Sequence, residues 1–332
     1  MKKKTRATEL GEHRIIELIQ KKLTLPAMPV PFGDDVSAVH ITGDTVAVLK
    51  TDMLVGRTDV PEQMNLYQAA RKAIVMNVSD FASKGVQPQA ALVALGLPPL
   101  FAEKDVEAIA TGLNDGAQQY GAYVVGGDTS ETSDLIISIA MYGTAEKNQL
   151  MLRKGAQPGD ILAVTGPFGN PPAGLKLLQG EYLSAEWDKV LLDSVFMPKA
   201  RLSEGLALAG SGAVSASMDS SDGLAWSVHE LDRQSHVGFT LKDVPVSAEA
   251  EQFAELNSLD ALELALYGGE EYELVLTVKP QYWDKAEKAV AGVGGKLLAI
   301  GKATEDPKVI LQSGGERRAL EARGWEHFKS RL

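Results

Sequence analysis

Five short stretches of the chain share one pattern, an acid beside small residues: Gly33-Asp34-Asp35, Thr51-Asp52, Ser79-Asp80, Gly127-Asp128-Thr129 and Asp219-Ser220-Ser221-Asp222-Gly223. Carboxylates and hydroxyls make an all-oxygen donor set, which suits a hard cation, magnesium first, and not zinc or copper. The five histidines stand outside all of these stretches, and the chain has no cysteine. Magnesium in an enzyme usually accompanies phosphate, so phosphate chemistry is the expectation. Each stretch alone also fits a turn or a helix cap, Asp222-Gly223 above all, and it is their recurrence that points to a site.

Asp80 sharpens the case. Spacing predicts a helix over Asn65 to Gly85, with Ala69, Ala70, Ala73, Ile74, Asn77 and Phe81 as its core-facing stripe and Gly85 as its cap. Asp80 falls on that stripe, where a carboxylate is costly unless a positive charge meets it. Arg71, Lys72 and Lys84 are poorly placed along the helix to do so. A metal ion is therefore the expected counter-charge; the alternative is an Asp that is partly exposed or bonded to backbone amides.

The positioning elements alternate. Residues 11–23 form a predicted surface helix, and Val36 to Ile41 with Thr45 to Leu49 a hairpin that runs into Thr51-Asp52. A strand over Ala90 to Leu97, a helix over Glu103 to Tyr120, a short strand ending at Gly126-Gly127-Asp128-Thr129 and a strand over Leu135 to Gly143 complete a first domain of α/β or α+β class. The pattern loosens near Ala145 to Leu150, giving domains of 1–148 and 149–332. The second carries strands at Asp160 to Thr165, near Gly238 to Leu241, Tyr272 to Val278, Leu297 to Gly301 and Val309 to Gln312. Its helices start at Leu175, near Arg201, at Ala225 and near Trp283. No Gly-x-x-x-x-Gly-Lys-Ser/Thr and no helix-opening Gly-x-Gly-x-x-Gly occurs, so neither a P-loop nor a Rossmann site is supported.

The 332 residues, 45% hydrophobic and 23% charged, are ordinary for a globular protein, and a net charge of -11 argues against a nucleic-acid surface. No apolar run reaches the roughly 20 residues of a membrane helix. Met1-Lys2-Lys3-Lys4 is followed by Glu9, Glu12 and Glu17 rather than a continuous apolar segment, so a signal peptide is not expected and a cytoplasmic location is.

Further motifs join the acids in order: Arg153-x-Gly155-x-x-Pro158-Gly159-Asp160, Gly268-Gly269-Glu270-Glu271-Tyr272-Glu273-Leu274 and Gly324-Trp325-Glu326-His327-Phe328. Together they resemble the thiamine-monophosphate kinase family, within the superfamily of aminoimidazole ribonucleotide synthetase, over almost the whole chain. The resemblance implies a two-domain fold of that superfamily: an N-terminal α/β domain that dimerises through its sheet into a β-barrel, and a C-terminal α/β domain that completes an ATP and substrate cleft. It implies magnesium ligands at Asp35, Thr51, Asp52, Asp80, Asp128 and Asp219, with Asp222 for a further ion. ATP contacts fall on Gly127, Asp128, Arg153 and Ser221, and substrate contacts on Glu270 and Trp325.

Two positions depart from the family pattern. Many relatives have a serine where Lys50 stands, whose carbonyl or hydroxyl helps one ion, so a lysine either weakens that ion or replaces its charge. Asp59 occupies the place of a substrate-contacting histidine. The implied reaction is ATP plus thiamine monophosphate giving ADP plus thiamine diphosphate, by direct in-line transfer in a magnesium-assisted homodimer. Alternatives are another ATP-dependent synthetase of the superfamily, a non-catalytic nucleotide- and metal-binding regulator, or a metal-dependent phosphohydrolase.

Overall fold

The computed structural model describes residues 6–183 and 185–328; Met1 to Lys4, the basic start of the chain, lie outside them. Two short helices, α1 (Ala7–Leu10) and α2 (Glu12–Gln20), precede a hairpin of β1 (Ser37–Thr42) and β2 (Thr45–Val55). A single turn, α3 (Gly56–Asp59), leads to α4 (Leu66–Lys84), then β3 (Pro88–Leu97), α5 (Glu103–Gln119), β4 (Tyr123–Glu131) and β5 (Ile136–Glu146). The strands pair in the order β1-β2-β5-β3-β4, antiparallel except for β3 and β4, which the α5 crossover makes parallel.

The second half begins with β6 (Ile161–Val164), α6 (Asn170–Leu178), α7 (Asp188–Phe196), α8 (Leu202–Ser211), β7 (Val214–Asp219) and α9 (Leu224–Ser235). It continues with β8 (Gly238–Leu241), α10 (Ala248–Leu256), α11 (Ala261–Tyr267), β9 (Leu274–Val278), α12 (Trp283–Gly292), β10 (Leu298–Thr304), β11 (Val309–Ser313) and β12 (Glu316–Ala319). Its sheet runs β12-β11-β8-β10-β6-β9-β7, with only β8 and β11 parallel. The class is thus mixed α/β with two sheets, and among the described residues neither closes into a barrel within one copy.

α4 lies between the two sheets. Asn65 starts it through a capping box, its side chain accepting from Gln68 N at 2.9 Å while Gln68 Oε1 accepts from Asn65 N at 3.0 Å. Gly85 ends it in the left-handed region at φ 67°, and a Cβ there would stand 2.2 Å from the Cβ of Ala209 on α8, so glycine is required by conformation and by space. One apolar core is continuous across the helix, from Val48, Ile137 and Ile139 of the first sheet through Ile74, Val78 and Phe81 to Leu274 and Leu276 of the second. The expected one-sided stripe is therefore corrected: Arg71, Lys72 and Lys84 are buried as well, because a helix packed on two sides has no solvent face along most of its length.

Three further expectations change. The predicted helix over 11–23 forms as α2, but none of its residues is buried, and Ile16, Leu18 and Ile19 stay exposed. β4 does not end at Gly126 but runs on to Glu131, because its ladder to β3 continues past a bulge after Val124 and places Asp128 opposite Ala94. Sequence pattern does not predict α1, α3, α7, β7, α10, α11 or β12, all of them short.

Candidate functional site in the cleft between the sheets

Two serines one helical turn apart on α4 set the site. Ser79 Oγ donates to Asp219 Oδ2 at 2.7 Å and Ser83 Oγ to Asp35 Oδ2 at 2.6 Å, so one helix orients carboxylates from the end of β7 and from the segment before β1. Asp80 stands between these serines, and oxygens of Asp35, Asp80 and Asp219 all lie within 4.8 Å of one another. Asp52 joins through the backbone, its N–H donating to Asn77 Oδ1 at 3.1 Å. Thus α4 gathers Asp35, Asp52, Asp80 and Asp219, four of the acids singled out by sequence.

Cations enter the cluster as well. Lys50, two residues before Asp52 and on the same face of β2, places Nζ 3.0 Å from Asp80 Oδ2 and 3.1 Å from Asp52 Oδ1. Lys84, fully buried, reaches Asp34 at 2.6 Å, Asp35 at 2.8 Å and the carbonyl of Ser217 at 2.7 Å. Arg153 donates from Nε to Asp35 Oδ1 at 2.5 Å and from its backbone N to Asp34 Oδ2 at 3.0 Å, and it also meets Glu230 at 3.4 Å. The view that Asp80 lacks any protein cation is corrected by Lys50, which comes from a strand and not from the helix. Lys84 does lie one turn beyond Asp80, but it turns to Asp34 and Asp35.

The electrostatics remain short of positive charge. Burial opposes ionisation of Asp35, but Arg153 and Lys84 outweigh it and hold its carboxyl well below the usual range. Burial raises Asp80 well above that range; Lys50 pulls the other way, and repulsion from Asp52, Asp219 and Asp35 adds to the rise. Asp219 is pushed up to about 6 by burial and Asp35, and Asp222 to about 7 by burial, then Glu12 and Asp219. Asp52 and Asp80 raise Lys50 against its own burial and keep it protonated. Six carboxylates, Asp34, Asp35, Asp52, Asp80, Asp219 and Asp222, thus face three cations, Lys50, Lys84 and Arg153. Repelling hard oxygens, with the buried Ser220 hydroxyl beside Asp219 lacking a hydrogen-bond partner, fit a divalent cation.

A second group of predicted residues gathers along the same cleft. Lys72, buried on α4, donates to Glu270 Oε1 at 2.5 Å and to the carbonyl of Asp59 at 3.1 Å, while Glu270 Oε2 is buried without a hydrogen-bond partner. The Asp59 carboxylate turns back to accept from Val55 N at 2.7 Å, capping α3. Glu270 and Tyr272 hold left-handed φ of 65° and 53°, and their N–H groups donate to the carbonyls of Ser221 and Ser220 at 2.7 and 3.0 Å. Trp325 N donates to the Asp222 carbonyl at 3.0 Å, its Cβ stands beside Gly269, and the residue is 44% exposed.

Thr51, Gly127 and Asp128 do not join the acids within one copy. Asp128 is opposite Ala94, Ala94 opposite Ser138 and Ser138 opposite Met53, three strand spacings of about 4.8 Å each from β4 to β2, on the face turned away from α4. Residues that sequence reasoning passed over are Ser79 and Ser83 as carboxylate holders, Lys84 as the partner of Asp34 and Asp35, and Lys72 as the partner of Glu270. The four-residue spacing of the serines, in step with the helix, was the available signal for the first pair; nothing local announces Lys72, whose partner is 198 residues away.

Known proteins extend these observations. The family described as AIR synthase related protein, N-terminal domain, matches residues 33–145, and its C-terminal domain matches 157–314. A thiamine-monophosphate kinase of Nitrosopumilus maritimus is 33% identical over 97% of this chain and 100% of its own, and one of Pyrococcus horikoshii is 34% identical over 97% of each. A solved structure described as AaThiL complexed with AMPPCP and TMP superposes with a TM-score of 0.86 at 29% identity, over 98% of this chain and 99% of that one.

Proposed function

The chain belongs to the thiamine-monophosphate kinase family, and from that membership and its acid cluster we infer that it transfers the γ-phosphoryl group of ATP to thiamine monophosphate, giving ADP and thiamine diphosphate. The observation that carries this reading is the convergence of Asp35, Asp80 and Asp219 on one point of a cleft whose other end holds Glu270 and Trp325. Asp35, Asp52, Asp80 and Asp219 would hold magnesium, and Asp222 a further ion; bound there, the metal supplies charge neutralisation between two phosphates.

The acceptor is itself a phosphate with a second pKa of about 6, so it arrives mostly dianionic and needs no protein base. This suits a cluster without histidine. The obstacle is repulsion: at 4 Å each pair of like charges costs about 1 kcal/mol in water and about 4 kcal/mol near a protein surface. Lys50 and Arg153, on the cluster's cationic side, offset part of that repulsion, and Arg153 exchanges some of its bonds with Asp35 for bonds to ATP, beside Ser221. Glu270, held through Oε1 by Lys72, accepts from an aminopyrimidine through Oε2. Trp325 stacks on a ring, and Asp59 orients the same pocket through Lys72.

The working unit in this reading is a homodimer in the cytoplasm, with residues 1–148 supplying the ion site and dimer face and 149–332 completing the cleft. Val39, Leu49, Met53, Leu92 and Tyr123 leave the outer face of the first sheet apolar and exposed, and a second sheet of the same kind would cover it by closing a barrel. Thr51 and Asp128 stand on that face, with Gly127 opposite the buried Val93 on the other, so Asp128 serves the acid cluster of the partner copy. Purified protein given ATP, magnesium and thiamine monophosphate should yield thiamine diphosphate by chromatography; turnover only with a different acceptor would discard the substrate.

A further inference from the structure

Lys50 and Lys84 are both lysines among acids, but they are held differently. Lys84 has no exposure and spends one bond on the Ser217 carbonyl, so it is locked into the backbone of β7. Lys50 keeps one-fifth of its side chain exposed and pairs with two carboxylates, Asp52 at 3.1 Å and Asp80 at 3.0 Å, from two different elements. A cation gripped by carboxylates that arrive from separate directions is the arrangement a divalent ion makes, with the ion here replaced by an ammonium on a four-carbon tether. Two of its three N–H donors suffice for Asp52 and Asp80, which leaves one for a ligand oxygen.

We propose that Lys50 is a tethered monocation standing in for one divalent ion between Asp52 and Asp80, so that this protein binds one ion fewer than its acids would otherwise hold. The inference rests on the cleft being the ion site. Geometry agrees with it: without the ammonium, Asp52 Oδ1 and Asp80 Oδ2 face the one position that lies 3.1 and 3.0 Å from them, room for a further divalent ion. It also follows that part of the site's neutralisation is independent of metal concentration.

The test is to count manganese bound per protomer by paramagnetic resonance, with a non-hydrolysable ATP analogue present, in the wild type, Lys50→Ser, Lys50→Ala and Lys50→Arg. Both shortened variants vacate the position between Asp52 and Asp80 and should bind one more ion than the wild type, and Lys50→Arg should not. Lys50→Ala gives a second comparison if the serine variant does not fold, and circular dichroism checks that each variant is folded. An unchanged count in a folded Lys50→Ser or Lys50→Ala overturns the proposal while leaving the ion site intact. A wild type that binds no manganese overturns the ion site itself and the proposal with it.

Discussion

Lys84→Met tests the charge balance of the cleft most directly. The substitution conserves length and removes the ammonium that meets Asp34 at 2.6 Å and Asp35 at 2.8 Å in a fully buried position. Breaking a buried pair by deleting one partner costs about 3–5 kcal/mol, because the other charge is left without compensation. Arg153 still holds Asp35, which favours the lower end. At roughly 2 °C per kcal/mol for a chain of this size, Tm should fall by about 6–10 °C in chelator at neutral pH. Differential scanning calorimetry measures it, and saturating magnesium should narrow the gap, since an ion held elsewhere among the acids supplies part of the lost positive charge. A fall of less than about 2 °C in chelator would show that Lys84 does not compensate these acids.

Asp219 and Asp222 titrate near 6 and 7 in the folded protein against about 4 unfolded, so the folded state binds more protons in between and their contribution to stability falls as pH rises from about 4 to 7. Asp35 acts oppositely, its depressed carboxyl supplying stability that is lost as pH falls below about 4. Chelated protein should therefore be more stable at about pH 5 than at about pH 8 and magnesium should remove that difference; a thermal-shift series that finds the chelated protein equally stable at both would contradict it. Asp52→Asn and Asp128→Asn should each abolish turnover without unfolding the chain, yet mixing the two refolded variants should restore about a quarter of the activity, because half the dimers are mixed and each carries one intact site; no recovery would place Asp128 in its own copy's site. Trp325→Ala should raise KM for the thiamine substrate with little change in kcat, and an unaltered KM in steady-state assays would return Trp325 to a purely structural role.

Local rules made the central helix legible. Asn65 and Gly85 delimit α4 by capping chemistry confined to their own neighbours, and Asp80 on its stripe marked the place where charge would have to be balanced. What balances it was not legible from the helix, because Lys50 reaches in from β2 and is aligned with Asp80 only once the sheet packs. Lys72 and Glu270 show the same limit over 198 residues of sequence. At Gly126-Gly127 the local rule misled: two glycines before Asp128 signal a turn, whereas β4 continues and a Cβ on Gly127 would lie 1.9 Å from the Val93 carbonyl oxygen, so close strand approach accounts for that glycine.

The burial of α4 on every side bears on how the polypeptide can be divided. Severing the chain after residue 148 would strip the helix of α8, β7 and β9, leaving Lys84 without the Ser217 carbonyl, Ser79 without Asp219 and Gly85 without the neighbour that its missing side chain accommodates. The two halves are thus unsuited to separate expression or to exchange with the corresponding half of a relative, unless the facing surface of α4 is rebuilt at the same time.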